Sequence, residues 1–205
     1  GCISGPSPCV EQDGSWFGVF GRRLGPGEAI GATEAQINTF TIGDQMNADV
    51  KALPDGRVLV LWSGLRSQIL WDVYGQWFDD AGARLGPEFR VNDEATDNQS
   101  AAVAWLWPEG SGAVAWMRRD INGDLADVWL RRLDTDGAPA GEDVAGSRWP
   151  EGEERSPALT GMGADALLVA WEDGPDGGPT YRVRVRPFSA AGLVATADDA
   201  EIAPE

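Results

Sequence analysis

The sequence predicts an all-β protein built from repeated four-stranded antiparallel units, and three observations support this expectation. The chain of 205 residues contains 27 Gly and 13 Pro, which punctuate turns and weaken long helices. The apolar runs VLVLW, AVAW and LLVAW end at Trp62, Trp116 and Trp171, so one pattern recurs with spacings of 54 and 55. Asp-Gly, Glu-Gly and Ala-Gly pairs separate the apolar segments, as hairpin turns require.

A second marker repeats with the same period. The apolar residue before a short polar turn is Phe78 in WFDDAG, Leu133 in RLDTDG and Phe188 in PFSAAG, with spacings of 55 and 55. About four short extended segments lie within each period. The segments before the repeated Trp are continuously apolar, which indicates strands that are covered on both faces. Four strands per period, a period of this length and a recurring Trp are typical of a β-propeller.

The period divides the chain into an N-terminal Cys-containing segment, residues 1–9, and a repeat domain, residues 10–205. The predicted units of the repeat domain are about 10–70, 71–126, 127–179 and a partial unit 180–205. The first unit is longer, because WFGVFGRRLGP begins at Trp16 and its counterpart WFDDAGARLGP begins at Trp77, a spacing of 61. The last unit supplies two strands, so we expect about three and a half units and about fourteen strands.

A longer composite pattern accompanies the period. It reads V-x4-F-D-x2-G-x3-G-x-E-F-x-V-N, followed by Q, by V-A-x-L, and then by G and V-A-W. This pattern resembles a tandem repeat of large secreted and cell-surface bacterial proteins, most closely in VYGQWFDDAGARLGPEFRVNDEATDNQSAAVAWL of the second unit. The match covers the second and third units well, the first loosely, and the fourth as far as it extends. The resemblance implies propeller-type architecture and an extracellular setting, with little about a ligand.

Composition excludes several classes of function. The 16 basic and 33 acidic residues give a formal net charge of −17, which nucleic acids and anionic membranes would repel. No apolar run is long enough to span a membrane. Histidine is absent, which excludes histidine general-base catalysis, Ser-His-Asp and Cys-His mechanisms and His-ligated zinc. We therefore expect a protein that is not an enzyme.

The two cysteines lie close together in GCISGPSPCV. We expect Cys2 and Cys9 to form a small terminal disulfide, which implies an oxidising compartment. The alternative is that Cys2 derives from the lipid-bearing cysteine of a bacterial lipoprotein. Both interpretations place the protein in a secreted, periplasmic or cell-surface location.

Ten tryptophans suggest a carbohydrate ligand, but the repeat assigns most of them to the core. Trp62, Trp116 and Trp171 occupy one repeat position and are expected to be buried between units. Other tryptophans are out of register, and among them Trp107 in LWPEG and Trp149 in SRWPEGEE sit in turn-like segments. We take these two as the main candidates for ligand or partner contact, with Trp129 on a strand as a third.

One acidic turn has the spacing of a calcium loop. In DINGDLAD, Asp120, Asn122 and Asp124 alternate and offer oxygen ligands to a hard cation. The match to the EF-hand pattern is incomplete, because the glycine falls at Gly123, two positions early, and Arg131 stands where a bidentate acid is expected. Calcium is thus the one candidate cofactor, against the alternative of a plain polar turn between two strands.

The run RVRVR places Arg182, Arg184 and Arg186 on one face of a strand. This positive stripe is either a solvated face or a surface that meets an acidic neighbour. The partial fourth unit leaves three arrangements open: a four-bladed ring with one incomplete blade, two copies that combine into a seven-bladed ring, or remaining blades on a partner or another part of the polypeptide. We expect a protein partner, or a second copy of the chain, that completes the propeller. A pair of carboxylates would suit a glycosidase, but nothing in the sequence selects such a pair.

The function predicted from sequence is a non-catalytic binding or assembly module, secreted or on a cell surface. The alternative is a lectin-like carbohydrate binder that uses exposed Trp, and a carboxylate glycosidase is the third hypothesis. The choice of a binding module rests on the absence of catalytic histidine and on what propellers commonly do, because a fold alone does not determine function.

Overall fold

A computed structural model describes residues 17–23, 34–66, 69–94, 96–122, 125–148, 152–175 and 180–202. Within these ranges the regular structure consists of strands. The fourteen strands are β1 (Phe20–Gly21), β2 (Ala35–Gln36), β3 (Gln45–Ala52), β4 (Val58–Gly64), β5 (Asp72–Phe78), β6 (Arg84–Arg90), β7 (Asn98–Leu106), β8 (Gly112–Arg119), β9 (Ala126–Leu133), β10 (Pro139–Ala145), β11 (Glu153–Gly161), β12 (Ala166–Gly174), β13 (Arg182–Ser189) and β14 (Ala200–Ile202). Among the described residues, no helix is long and apolar enough to cross a membrane.

The strands form three four-stranded antiparallel sheets and one short pair. Sheet 1 has the order β3-β4-β5-β6, sheet 2 the order β7-β8-β9-β10 and sheet 3 the order β11-β12-β13-β14, while β1 pairs with β2. The first strand of each sheet is the inner one, because β7 contacts both β3 and β11. The all-β class and the four-stranded antiparallel units are as the sequence predicts.

The sheets begin at a different point of the period from the predicted units. The predicted units 71–126 and 127–179 each run across the last two strands of one sheet and the first two of the next, because a period gives a repeat length but not the position at which a repeat begins. The segment 180–205 contains β13 and β14, which are the outer strands of sheet 3 rather than half of a further unit. The additional pair is β1 with β2, which lies against sheet 1.

Each inner strand bends at the same place. The residues at the bend are Asn47, Ala101 and Ser156, spaced 54 and 55 apart, with φ of 57°, 54° and 53°. The register with the neighbouring strand shifts at each of them. A non-glycine residue in the left-handed region is uncommon, and a β-bulge is one place where it occurs. The bend is therefore a property of the repeat unit.

The core lies between the sheets. One apolar cluster fills the first junction, between sheets 1 and 2, and a second fills the second junction, between sheets 2 and 3. A smaller cluster packs Val19 and Ile37 against sheet 1. Trp62, Trp116 and Trp171 are 1%, 0% and 1% exposed, and each points toward the preceding unit, so the period of the sequence reports packing between units.

Candidate functional site

The front end of the molecule is the end at which the three inner strands begin. One position of the repeat lies at this end in all three sheets. It is occupied by Asp44, directly before β3, and by Asn98 and Glu153, the first residues of β7 and β11. These positions have spacings of 54 and 55, the period of the repeat. Because the inner strands are neighbours, the front end brings two carboxylates and an amide to equivalent places on three successive sheets.

Glu153 is held by donors from two sheets. The Arg119 guanidinium at the end of β8 donates to its Oε1, and the Tyr181 hydroxyl lies 3.5 Å from its Oε2. Tyr181 crosses the sheet at Gly174, where an added Cβ would lie 2.6 Å from the ring. Glycine at this position therefore lets the aromatic ring reach the carboxylate.

A second carboxylate lies on the same face of sheet 3. Arg155 has its Cζ 3.4 Å from the centre of the Tyr181 ring, and its Nε donates to Glu172 Oε2 at 3.0 Å. Arg155 pairs with Glu172 across β11 and β12, and Glu153 precedes Arg155 by two residues, so the three side chains share a face. The site thus combines carboxylate acceptors, guanidinium donors and an aromatic ring.

The other members of the front end are less enclosed. Among the described residues, the Asp44 carboxylate has neither a hydrogen-bond nor an ion-pair partner. The Asn98 Oδ1 accepts from the Trp71 backbone N–H at 3.2 Å, and Asp97 pairs with Arg118 at 2.7 Å. Asp44 is consequently the carboxylate of this end whose oxygens are least committed to the protein.

Behind the front end lies a buried acid, Glu154, which points into the second junction and is 1% exposed. Burial raises the pKa of Glu154 to about 7, and the charges of Asp127 and Asp173 also raise it. The hydrogen bonds from the Ser147 hydroxyl and the Val128 N–H act in the opposite direction and lower the pKa. Glu154 Oε2 accepts from Val128 N at 2.9 Å. Its enclosure makes Glu154 an interior proton-holding group rather than a residue that meets a ligand.

The two out-of-register tryptophans that were predicted to contact a ligand and that the structure describes, Trp107 and Trp129, are largely packed against other parts of the chain. Trp107 is 8% exposed, packs in the second junction and donates from Nε1 to the Gly163 carbonyl at 3.1 Å. Trp107 is therefore largely a core residue whose edge lines a surface depression, and its role as a contact residue stays a prediction. Trp129 packs against the first junction, and the Arg118 Cζ lies 4.6 Å from its ring centre, which covers the face needed for stacking. Trp149 lies outside the described residues.

The arginine stripe of β13 is neutralised within the chain. Arg182 pairs with Glu201 at 3.2 Å, Arg184 with Asp173, and Arg186 with Asp199 at 3.2 Å. A further bond, from Arg186 Nη1 to the carbonyl of Gly146 at 3.2 Å, reaches sheet 2. The acidic neighbour of the stripe therefore includes strand β14 and the segment before it.

The remaining predicted sites are only partly described. Asp120 Oδ1 accepts from both the backbone N–H and the side-chain amide of Asn122, each at 2.7 Å, as in a polar turn. Asp124 lies outside the described residues, as do Cys2 and Cys9. No group of three or more acidic or Cys side chains suited to a metal occurs among the residues that the structure describes. Calcium and the disulfide stay predictions.

Sequence reasoning missed the front-end carboxylates, although a signal for them is present. Aligned on the repeated Trp, the dipeptides DQ, NQ and EE start at Asp44, Asn98 and Glu153 and lie at the beginnings of the three inner strands. The second residue of each dipeptide is buried, whereas the first lies at the front end. Comparing repeats position by position, rather than seeking one acidic motif, would have selected this pair.

Comparison with solved structures places the chain among β-propellers. An endo-arabinase from Bacteroides thetaiotaomicron matches with a TM-score of 0.57 and 11% identity over 85% of this chain and 70% of that one. An α-L-arabinofuranosidase from Fusarium graminearum matches with a TM-score of 0.55 and 12% identity, covering 84% and 55%. A thermostable family-43 glycoside hydrolase matches with a TM-score of 0.53 and 8% identity, covering 77% and 54%.

The chain spans about half the length of the latter two enzymes. A scan against protein-family models finds no match, and neither does a search of curated proteins. The comparisons correct the expectation of a non-catalytic binding or assembly module that is not an enzyme, because all of the solved structures named above are glycoside hydrolases. At 8–12% identity, the likeness itself establishes the propeller fold.

Proposed function

We propose that the protein is a glycoside hydrolase that cleaves arabinose-containing polysaccharide. The observation that carries the proposal is the pair Asp44 and Glu153, carboxylates at equivalent front-end positions of sheets 1 and 3. Most glycoside hydrolases cleave the glycosidic bond with a pair of carboxyl groups, a mechanism that needs no histidine. The similar solved structures are named as an endo-arabinase and as an arabinofuranosidase, which supplies the sugar class.

The contacts of the two carboxylates suggest separate roles. Arg119 and Tyr181 both donate to Glu153, so its oxygens act as acceptors and suit the residue that activates water or attacks the sugar. Asp44, whose oxygens find no partner among the described residues, is then the second carboxyl group of the pair. Arg155 and Glu172 offer the donor and acceptor that sugar hydroxyls require.

A secreted or cell-surface location follows from this substrate class. Polysaccharides are met outside the cytoplasm, and the acidic chain, with 33 acidic and 16 basic residues, suits an extracellular soluble domain that does not adhere to nucleic acid. The proposed disulfide between Cys2 and Cys9 requires the same oxidising setting.

The test is hydrolysis by the full chain. The substrates are linear arabinan, arabino-oligosaccharides and a chromogenic α-L-arabinofuranoside. We expect Asp44→Asn and Glu153→Gln each to lower kcat by about 10²–10⁴-fold, because each removes a proton-transfer or nucleophilic group. Asp136→Asn, in the exposed turn between β9 and β10 at the opposite end, is the matched control and is expected to keep full activity. Full activity in both front-end variants, or no hydrolysis of any glycan by the wild type, contradicts the proposal.

A further inference from the structure

The back end, opposite the front end, differs between the two junctions. At the first junction Trp77 closes the space between sheets 1 and 2. Its indole N–H donates to the Gly137 carbonyl at 3.0 Å, and its ring lies so close to Gly137 that an added Cβ would be 2.4 Å away. The Arg57 guanidinium covers the ring, with its Cζ 5.6 Å from the ring centre.

The same positions carry different residues one repeat later. Arg132 is the counterpart of Trp77, at a spacing of 55, and Ser111 is the counterpart of Arg57, at a spacing of 54. Gly192, the counterpart of Gly137, has no ring above it, since an added Cβ would meet only the Val194 side chain, at 3.5 Å. Because the second junction lacks both the indole and the arginine that packs over it, a groove is open at its back end.

The groove consists of two adjoining depressions with volumes of about 180 and 400 Å³, which share Arg132 and Ala191 in their walls. Together they fall within the range of roughly 300–1,000 Å³ that is typical of small-ligand sites. The first depression is lined by Trp107, Glu109 and Asp165 among others, and the second by Glu142. Both are separated from the front-end carboxylates by the length of the sheets.

The side chains of the groove indicate the ligand. Arg132 has no hydrogen-bond or ion-pair partner among the described residues, so its fork of N–H donors is available. The acceptors Glu109, Asp165 and Glu142 stand nearby, and Ser111 donates to Glu109 at 2.7 Å. Because three carboxylates and one guanidinium line the groove, its net charge is negative and repels an anionic ligand. Neutral vicinal hydroxyls, which both donate and accept, fit this set.

We propose that the groove lined by Arg132 binds a neutral carbohydrate chain, as a second site remote from the front-end carboxylates. The choice of arabinose-containing chains as the first probe rests on the proposed hydrolase function. The groove and its polar side chains are observed independently of that function. The site would hold a polysaccharide against the molecule while another part of the chain is cleaved.

The test introduces at the second junction the Trp and Arg side chains that close the back end of the first junction. In a Glu153→Gln background that prevents cleavage, binding of arabino-oligosaccharides, xylo-oligosaccharides and galacturonate oligosaccharides is measured by calorimetry. We expect a neutral series to bind with two components, one at the front end that Arg132→Trp leaves unchanged and one at the groove that Arg132→Trp weakens at least tenfold. Ser111→Arg, which replaces the missing cover, is a second variant with the same expectation. Arg182→Ala, at the front of β13, is the matched control that binds as before.

Two readouts separate this proposal from the hydrolase function. Urea denaturation of each variant establishes that it is folded, and Ser111→Arg is used alone if Arg132→Trp does not fold. Activity of Arg132→Trp on the short chromogenic substrate is expected to equal that of the wild type. Binding that depends on Arg132 supports the groove even in a protein without hydrolysis. Unchanged binding in both variants, or preference for galacturonate, overturns it.

Discussion

The two junctions between sheets use equivalent positions in different ways. At the first junction, Trp116 donates from Nε1 to Gln99 Oε1 at 2.8 Å, and Asn92 Oδ1 accepts from the Val73 N–H at 2.8 Å. At the second junction the counterpart of Trp116 is Trp171, whose buried Nε1 has no hydrogen-bond partner among the residues that the structure describes. The counterparts of Gln99 and Asn92 there are Glu154 and Ser147.

The shorter Ser147 leaves a backbone donor that another side chain must satisfy. Glu154 takes over this role by accepting from Val128 N, the equivalent of the donor that Asn92 caps in the preceding repeat. As a result its carboxyl no longer serves Trp171, and an ionisable group lies inside the protein. Within the described part of the chain, the repeated Trp is thus hydrogen-bonded at the first junction and unpaired at the second, where the back end is also open.

The second junction contributes to both proposed sites, although Asp44 of the front-end pair belongs to sheet 1. Glu153, next to Glu154, lies at the front of the second junction, and the Arg132 groove lies at its back. Proteins depart from good packing and full hydrogen bonding where function requires it. We infer that the first junction supplies stability and that the second gives up part of it for binding and chemistry.

The largest expected contrast comes from truncating equivalent residues. Trp77→Ala should lower the free energy of unfolding by about 3–5 kcal/mol, because it empties a filled core position and removes the bond to Gly137. Arg132→Ala should change it by less than about 0.5 kcal/mol, since its guanidinium contacts no partner in the described part of the chain. Urea unfolding followed by tryptophan fluorescence measures both. Equal losses in the two variants would refute the contrast.

The second expected contrast is pH dependence. Burial raises the pKa of Glu154 from 4.5 to about 7, so between these values the folded protein keeps a proton that the unfolded chain has released. The unfolded state then binds fewer protons, and stability falls as pH rises from 4.5 to 7, by roughly 3 kcal/mol in total. Burial also raises the pKa of Asp127, which adds to the slope in the same direction.

Two reciprocal variants isolate this effect. Glu154→Gln restores the amide that the other repeats carry at Gln45 and Gln99, and it should remove most of the loss. The slope that remains is due to Asp127 and Asp143, whose pKa values burial also raises. Gln99→Glu should make the first junction pH-dependent with the same sign. Urea midpoints at pH 4.5, 6 and 7.5 give the measurement. A wild-type midpoint that rises across this range would contradict the assignment of Glu154 as the proton holder.

How far sequence could anticipate this arrangement depends on what a period reports. Repeated apolar residues report burial, so the all-β class, the four-stranded units and the buried Trp62, Trp116 and Trp171 were predictable. A period does not identify the residues of other repeats that a side chain contacts. The core position of Trp107 depends on Gly163 in the next sheet, and the isolation of Arg132 depends on what stands opposite it. Such contacts join residues of different repeats, which no single motif encodes.

The front-end carboxylates escaped prediction for a related reason. In an acidic chain with 33 Asp and Glu, no pair stands out by type, and only the repeat register shows that Asp44 and Glu153 are equivalent. The bends at Asn47, Ala101 and Ser156 were also missed, because the left-handed residue is not glycine in any of the three. Repeat alignment locates such positions once the sheet boundaries are known.

The smallest expected contrast concerns the glycines beneath the two junctions. Gly137 has φ of 77° and lies directly under Trp77, so Gly137→Ala should cost about 1–2 kcal/mol from the left-handed backbone alone, with the displaced indole adding to it. Gly192 faces the open groove, has no strained φ and would meet Val194 at ordinary contact distance. Gly192→Ala should therefore be neutral or stabilise by up to about 1 kcal/mol, because it reduces the freedom of the unfolded chain. Urea midpoints of the two variants give the comparison, and a loss at Gly192 equal to that at Gly137 would mean that the second junction is closed.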